Sequence, residues 1–269
     1  MTRLIFVATA VLSTTPLFAG VRIQTENTDL ATKKVTTDTI LLDANRMRLD
    51  SDDGRSMMFL TDGGRNRMVI LDKARNTYQE IDEQTMNQMG QQMSAAMAQM
   101  QAQMKNMTPE QRKMMEQMMK GKMPQAAAAA PKTVYTAKGS GSVNGFSCTK
   151  YEGDLSGAKV AEVCAALPAQ LKLSPSDLQV FDKMREFSTS LLSSLANSPV
   201  RVNLPTATGF EAGYEGFPVQ KVDFDNGQAT KRGELKSITR ANFTDADFSL
   251  GNAKKVEMPI PGAPKGKQR

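Results

Sequence analysis

Residues 35–81 read VTTDTILLDANRMRLDSDDGRSMMFLTDGGRNRMVILDKARNTYQEI, and this run decides the fold class. Short apolar or alternating stretches recur at Val35–Leu42, Arg46–Asp50, Ser56–Thr61, Arg67–Asp72 and Thr77–Ile81. Between them stand Asp43-Ala44-Asn45, Ser51-Asp52-Asp53-Gly54, Asp62-Gly63-Gly64-Arg65-Asn66 and Lys73-Ala74-Arg75-Asn76. Gly, Asn and Asp tolerate the positive φ that tight hairpins require. Strands joined by such short turns are antiparallel neighbours, so the run from Val21 to Ile81 is a meander. Asp50-Ser51-Asp52-Asp53-Gly54 has a passing likeness to a calcium loop, but the later ligand positions and the closing Glu of that motif are missing. A plain hairpin explains it.

Upstream, Met1-Thr2-Arg3 is followed by an apolar run from Leu4 to Leu12 and by Leu17-Phe18-Ala19 before Gly20. A basic start, a short apolar core and a small residue describe a secretory signal peptide over residues 1–19. The run is too short to span a bilayer, for which about 20 apolar residues are needed. The mature chain is expected to be periplasmic and soluble. In an oxidising compartment Cys148 and Cys164, the only two cysteines, should pair. They lie on strand-like stretches Phe146–Glu152 and Lys159–Ala165, and folding about Ser156 brings them opposite each other. A redox-active pair would ask for Cys-x-x-Cys at a helix start, which is absent, so the disulfide is structural.

Downstream of the meander the pattern changes. Met86, Met89, Met93, Met97, Met100, Met104 and Met107 recur at steps of three or four, which places them on one helix face. Thr108-Pro109-Glu110-Gln111 restarts a second helix, and Gly121 and Pro124 end it. The whole insert covers 83–123, with an Ala/Pro linker at 124–131. Strands resume at Thr133–Lys138, Gly139–Gly145 reads as a turn, and the cysteine hairpin follows. Ser174-Pro175-Ser176-Asp177 caps a further helix with an apolar stripe of Val180, Met184, Phe187, Leu191 and Leu195, ended by Pro199. Val200–Leu204, Phe217–Phe224 and Lys231–Thr239 return to strand, Phe248–Met258 is extended, and 259–269 is a disordered basic tail.

Several of these pieces carry a resemblance. They are Asn45-Arg46-Met47-Arg48-Leu49, Arg67–Asp72, Thr77-Tyr78-Gln79-Glu80-Ile81 before the Met-rich helix, Val143-Asn144-Gly145-Phe146-Ser147-Cys148-Thr149-Lys150-Tyr151, and Gly216-Phe217-Pro218-Val219. Together they resemble an uncharacterised family of exported bacterial domains grouped with the LolA/LolB lipoprotein-carrier fold. The resemblance implies an α+β domain over residues 20–258. Its core would be an incomplete antiparallel β-barrel, LolA-like, wrapped around helices, here with a long Met-rich helical insert. It also implies an apolar cavity able to take acyl chains. The chain departs from the carriers in having no recognisable helix before the first strand and in its long Met-rich insert, and no functional residue is carried over from them.

Composition excludes much. The chain has no His, so Ser-His and Cys-His nucleophiles and imidazole metal sites are ruled out. Ser147-Cys148-Thr149-Lys150 matches Ser-x-x-Lys in letters only, since positions three apart on a strand face opposite ways. No enzyme, no cofactor and no nucleic acid is expected. The excess of 34 Lys+Arg over 28 Asp+Glu permits weak membrane-surface contact through Lys254, Lys255, Lys265, Lys267 and Arg269. The methionines admit three readings. One is packing, including docking of a partner helix or a second copy. Another is a lining for an acyl chain, lipid or lipoprotein anchor, extended by Met57, Met58, Phe59 and Met68. A third is Cu(I) ligation by Met97, Met100, Met104 and Met107.

Overall fold

The computed structural model describes residues 20–85, 87, 88, 91, 95, 99, 132–194 and 213–257. The signal peptide, the linker 124–131, the strand Val200–Leu204 and the tail 259–269 lie outside the described residues. So does the Met-rich insert, apart from helical positions at Glu83–Thr85, Asn87, Gln88, Gln91, Ala95 and Gln99.

In chain order the elements are β1 (Gly20–Asp29), β2 (Val35–Leu42), β3 (Arg46–Ser51), β4 (Arg55–Asp62), β5 (Arg65–Asp72) and β6 (Thr77–Asp82). After these come β7 (Val134–Val143), β8 (Phe146–Leu155), β9 (Ala158–Ala166), α1 (Pro175–Ser194), β10 (Phe217–Asp225) and β11 (Gln228–Ala241). A 3-10 turn (Asp245–Phe248) and the two-residue β12 (Lys254–Lys255) complete the series. All twelve strands form one sheet in the order β12-β6-β5-β4-β3-β2-β1-β11-β10-β9-β8-β7. Every pairing is antiparallel except β12 on β6. Among the described residues β12 and β7 end the sheet without pairing with each other, so the sheet is not closed.

The meander appears where the turn residues place it. Two corrections concern the second half. Gly139–Val143 does not turn: β7 runs on through it, and the register slip between Ala137 and Gly139 makes a bulge that Gly139 enters at φ +116°. The reversal falls at Asn144-Gly145, both at positive φ. The cysteine hairpin turns tightly at Ser156-Gly157, and a second slip between Gly153 and Asp154 shifts the register beyond it. Cys164 therefore faces Lys150, and Cys148 lies further along the same face. The disulfide still forms, with Cα atoms 5.4 Å apart.

Both faces of the meander are covered, which explains the unbroken apolar run Met57-Met58-Phe59-Leu60 in β4. Alternation sends Met57 and Phe59 to one face and Met58 and Leu60 to the other. On the first face they join Ile23, Leu42, Met47 and Met68 under α1, whose Val180, Phe181, Met184 and Phe187 point inward. On the second face Leu41, Met58, Leu60, Val69 and Leu71 lie beneath the C-terminal segment, chiefly Phe248 with Phe243, Leu250 and Ala253 beside it.

Candidate functional site

The apolar interior between sheet and α1 contains the described part of the candidate lining. Met57, Phe59 and Met68 come together there, with Phe59 fully buried and Met68 1 % exposed. The Phe187 ring of α1 packs on Phe59 with centroids 5.7 Å apart. This chain's own helix therefore lies over these residues. Met86, Met89, Met93, Met97, Met100, Met104 and Met107 fall outside the described residues. Two thioethers that the sequence did not single out for this lining, Met47 and Met184, belong to the same cluster. The signal for both was present: Met47 alternates with Arg46 and Arg48 on its strand, and Met184 sits on the helix stripe. Four flexible sulfur-bearing side chains thus share one core, a composition that adapts readily to changes of shape.

Polar contacts fix α1 over this core. The Ser174 N–H and hydroxyl both donate to the Asp177 carboxylate at 2.6 Å, and the Asp177 N–H donates to the Ser174 carbonyl at 3.0 Å, closing the first turn. The Arg240 guanidinium on β11 ion-pairs with the buried Asp177 carboxylate and donates to the Lys172 carbonyl. Burial pushes the Asp177 carboxyl up, but the donors Arg240 and Ser174 outweigh it, and the group titrates below its ordinary value. Further along, the Lys183 ammonium donates to Asn45 Oδ1 at 2.6 Å and to the Ala44 carbonyl at 3.2 Å. These contacts tie the start of α1 to β11 and its middle to the β2–β3 turn.

The root of the Met-rich insert is also built locally. Asp82 is buried, and its carboxylate accepts from the Thr85 N–H at 2.7 Å, capping the helical residues that follow. Arg65 on the facing hairpin pairs with it at 3.0 Å. Burial raises the Asp82 carboxyl, but the Thr85 and Arg65 donors hold it below its usual range. A cleft of about 500 Å³ opens here between the Gly64–Asn66 turn and the amides of Gln84, Asn87, Gln88 and Gln91. Among the described residues no group of three Asp, Glu or Cys side chains is placed to hold a metal ion. No helix among them is long and apolar enough to cross a membrane.

On the opposite face the C-terminal segment is held by charge and by backbone. Arg46 pairs with Asp43 at 2.8 Å and with Asp245 at 2.7 Å, and its guanidinium stacks 4.3 Å from the Phe248 ring centroid. The Lys254 N–H donates to Asn76 O at 3.0 Å and the Val256 N–H to Tyr78 O at 2.8 Å.

Residues 55–252 match the family model of a domain of unknown function, DUF4412, and the chain belongs to that family. No curated protein matches the sequence. Among solved structures, an uncharacterized conserved protein from Thermus thermophilus is similar at 9% identity and a TM-score of 0.44, over 90% of this chain and 92% of that one. PNGF-II is similar at 10% identity and a TM-score of 0.39, with 89% of this chain covering 31% of it. The Pseudomonas aeruginosa MucA/MucB complex contains a chain similar at 11% identity and a TM-score of 0.38, with 92% of this chain covering 62% of it.

Proposed function

We propose that this DUF4412 member is an exported, non-enzymatic binding module of the periplasm that takes an apolar ligand, an acyl chain first among them, against thioether side chains. The observation that supports it is the water-facing stripe at the root of the insert. Gln84, Gln88, Gln91, Ala95 and Gln99 are helical and exposed at steps of three and four, with Asn87 exposed beside Gln88. By sequence spacing alone, Met86, Met89, Met93, Met97 and Met100 are expected on a face of their own, apart from these polar positions. The insert follows β6, whose Ile81 belongs to the core shared by Met47, Met57, Met68 and Met184. A ligand laid against such surface gains about 25 cal/mol for each Å² of apolar area it removes from water. α1 moves aside where the chain enters the core, at the cost of the Phe59–Phe187 contact. Export accords with the apolar N-terminal run and with a formed disulfide.

The test uses full-length protein recovered from the periplasm, examined by native mass spectrometry and then stripped and titrated with a fluorescent C16 fatty acid. Co-purifying lipid and saturable binding are expected. Changing Met97, Met100, Met104 and Met107 together to Gln should weaken binding by at least about tenfold, given the apolar area lost. Stripped protein that ignores the probe overturns the reading. Competition for Cu(I) against a chromogenic chelator, lost in the same variant, would replace it with metal binding, and a concentration-dependent mass without lipid would replace it with docking.

A further inference from the structure

The two faces of the meander are covered by independent devices. The apolar residues under α1 and those under the C-terminal segment form separate clusters with no residue in common. Lifting the C-terminal segment therefore leaves the cluster beneath α1 complete. Of residues 244–257 only Phe248 is buried, and the segment ends in β12, a strand of two residues. Its backbone ties to β6 are the Lys254 and Val256 N–H groups, which donate to the Asn76 and Tyr78 carbonyls. A segment with one buried anchor and so short a ladder opens at lower free energy than the core strands.

The polar contacts are arranged so that opening leaves no charge on the sheet without a partner. Arg46, paired with Asp245 at 2.7 Å, also holds Asp43 at 2.8 Å. Arg48, whose guanidinium donates to the Asp247 carbonyl at 2.8 Å, also holds Asp50 at 2.9 Å. Glu80, paired with Lys255 at 3.3 Å, also has Arg67 at 3.9 Å. Each of these sheet groups keeps an opposite charge when the segment leaves, so opening escapes the cost of an orphaned ion. The departing turn is equally self-contained. The Thr244 N–H and hydroxyl donate to the Asp247 carboxylate at 2.7 and 2.9 Å, and the Asp247 N–H donates to the Thr244 carbonyl at 3.1 Å. It takes these hydrogen bonds with it.

We propose that residues 244–257 are a strap that lifts off the sheet as a unit while the rest of the fold stays closed. Opening draws Phe248 from its seat and uncovers Leu41, Met58, Leu60, Val69 and Leu71, each at most 7 % exposed while the strap is down. It also bares the outer side of β6, the strand that runs into Asp82 at the root of the Met-rich insert. The molecule thereby holds a second apolar surface in reserve, on the opposite face from the interior under α1. The strap does not depend on the acyl-chain reading, since neither that interior nor the methionines of the insert take part in it.

The experiment is thiol labelling of the full chain, with Cys148–Cys164 kept oxidised, at one cysteine introduced by Val69→Cys beneath the strap or by Ile23→Cys under α1. Both positions are fully buried, so each labels when its own cover opens. Relative to each variant's global unfolding, Val69→Cys should label at least about tenfold faster than Ile23→Cys, with a weaker urea dependence. Adding Phe248→Ala should speed labelling of Val69→Cys at least about tenfold more than that of Ile23→Cys. Amide exchange of the unsubstituted chain guards against an effect of the new cysteines: Lys254 and Val256 should exchange with the opening constant read at Val69. The proposal is overturned if both cysteines label at their global unfolding rates or if Phe248→Ala speeds both alike. It is overturned too if Lys254 and Val256 exchange freely while Val69→Cys stays protected, which is fraying of β12 alone.

Discussion

Phe187→Ala is the sharpest probe of how α1 is held. The ring is 2 % exposed and packs on the fully buried Phe59, with Val180, Phe181 and Met184 beside it on the same helix. Truncating a buried Phe costs about 3–5 kcal/mol, depending on how far the surroundings collapse. Collapse is restricted here, because the strands beneath are laddered to neighbours and packed on their other face by the C-terminal segment. We therefore expect about 4 kcal/mol. Of this, about 0.5–1.5 kcal/mol belongs to the ring pair and is isolated by a double-mutant cycle with Phe59→Ala. Urea unfolding followed by far-UV circular dichroism is the assay, since the chain has no Trp. Arg185→Ala, at a mostly exposed position of the same helix, should stay within about 0.5 kcal/mol. A loss below about 1 kcal/mol for Phe187→Ala, with no coupling to Phe59, would refute the placement of α1 on the sheet.

Two further outcomes follow from the same geometry. Replacing Cys148 and Cys164 by Ser opens a loop closed across 16 residues and should cost about 3 kcal/mol on the chain-entropy model, read as a lower urea midpoint. An unchanged midpoint would show that the cross-link constrains nothing. Asp177 titrates below its usual value when folded, so its contribution is complete above the unfolded carboxylate pKa of about 3.9 and is lost as pH falls through the folded value. Wild type should therefore lose stability below about pH 4 faster than Asp177→Asn, which starts lower and responds less. Parallel pH profiles of the two proteins would contradict a stabilising Asp177–Arg240 pair.

The meander was legible because each reversal carries Asp, Asn or Gly where the backbone needs them, and the α1 stripe because its apolar residues keep a helical step. The Ser174–Asp177 start could be read for the same reason: a cap is a local device. The course of β7 was not legible, since Gly139-Ser140-Gly141 has the composition of a turn and only pairing with β8 makes it a strand. Gly141 serves close approach instead, because a Cβ there would meet the Lys150 side chain at 2.5 Å and the Cys164 sulfur at 3.1 Å. In β4 the sequence could not separate Met57 from Met58, since both are apolar and both are buried. Only the C-terminal segment, far along the chain, gives Met58 a separate neighbourhood. Its short 3-10 turn and shorter strand leave no periodic trace, so that cover and the face it protects were hidden.

The pairing of β1 with β11, in which Val21 faces Arg240, also governs how the molecule can assemble. Among the described residues, strands 20–82 make one contiguous run and strands 134–241 another, and this is the strand pairing that joins them, beside the packing of α1. One flank of β1 is covered only by β11, which lies far along the chain from it. The closing stretch then crosses back from the later run and buckles onto the earlier one through Phe248. The early strands are thus fastened at two places, β1 and the face beneath Phe248, by residues far along the chain from them.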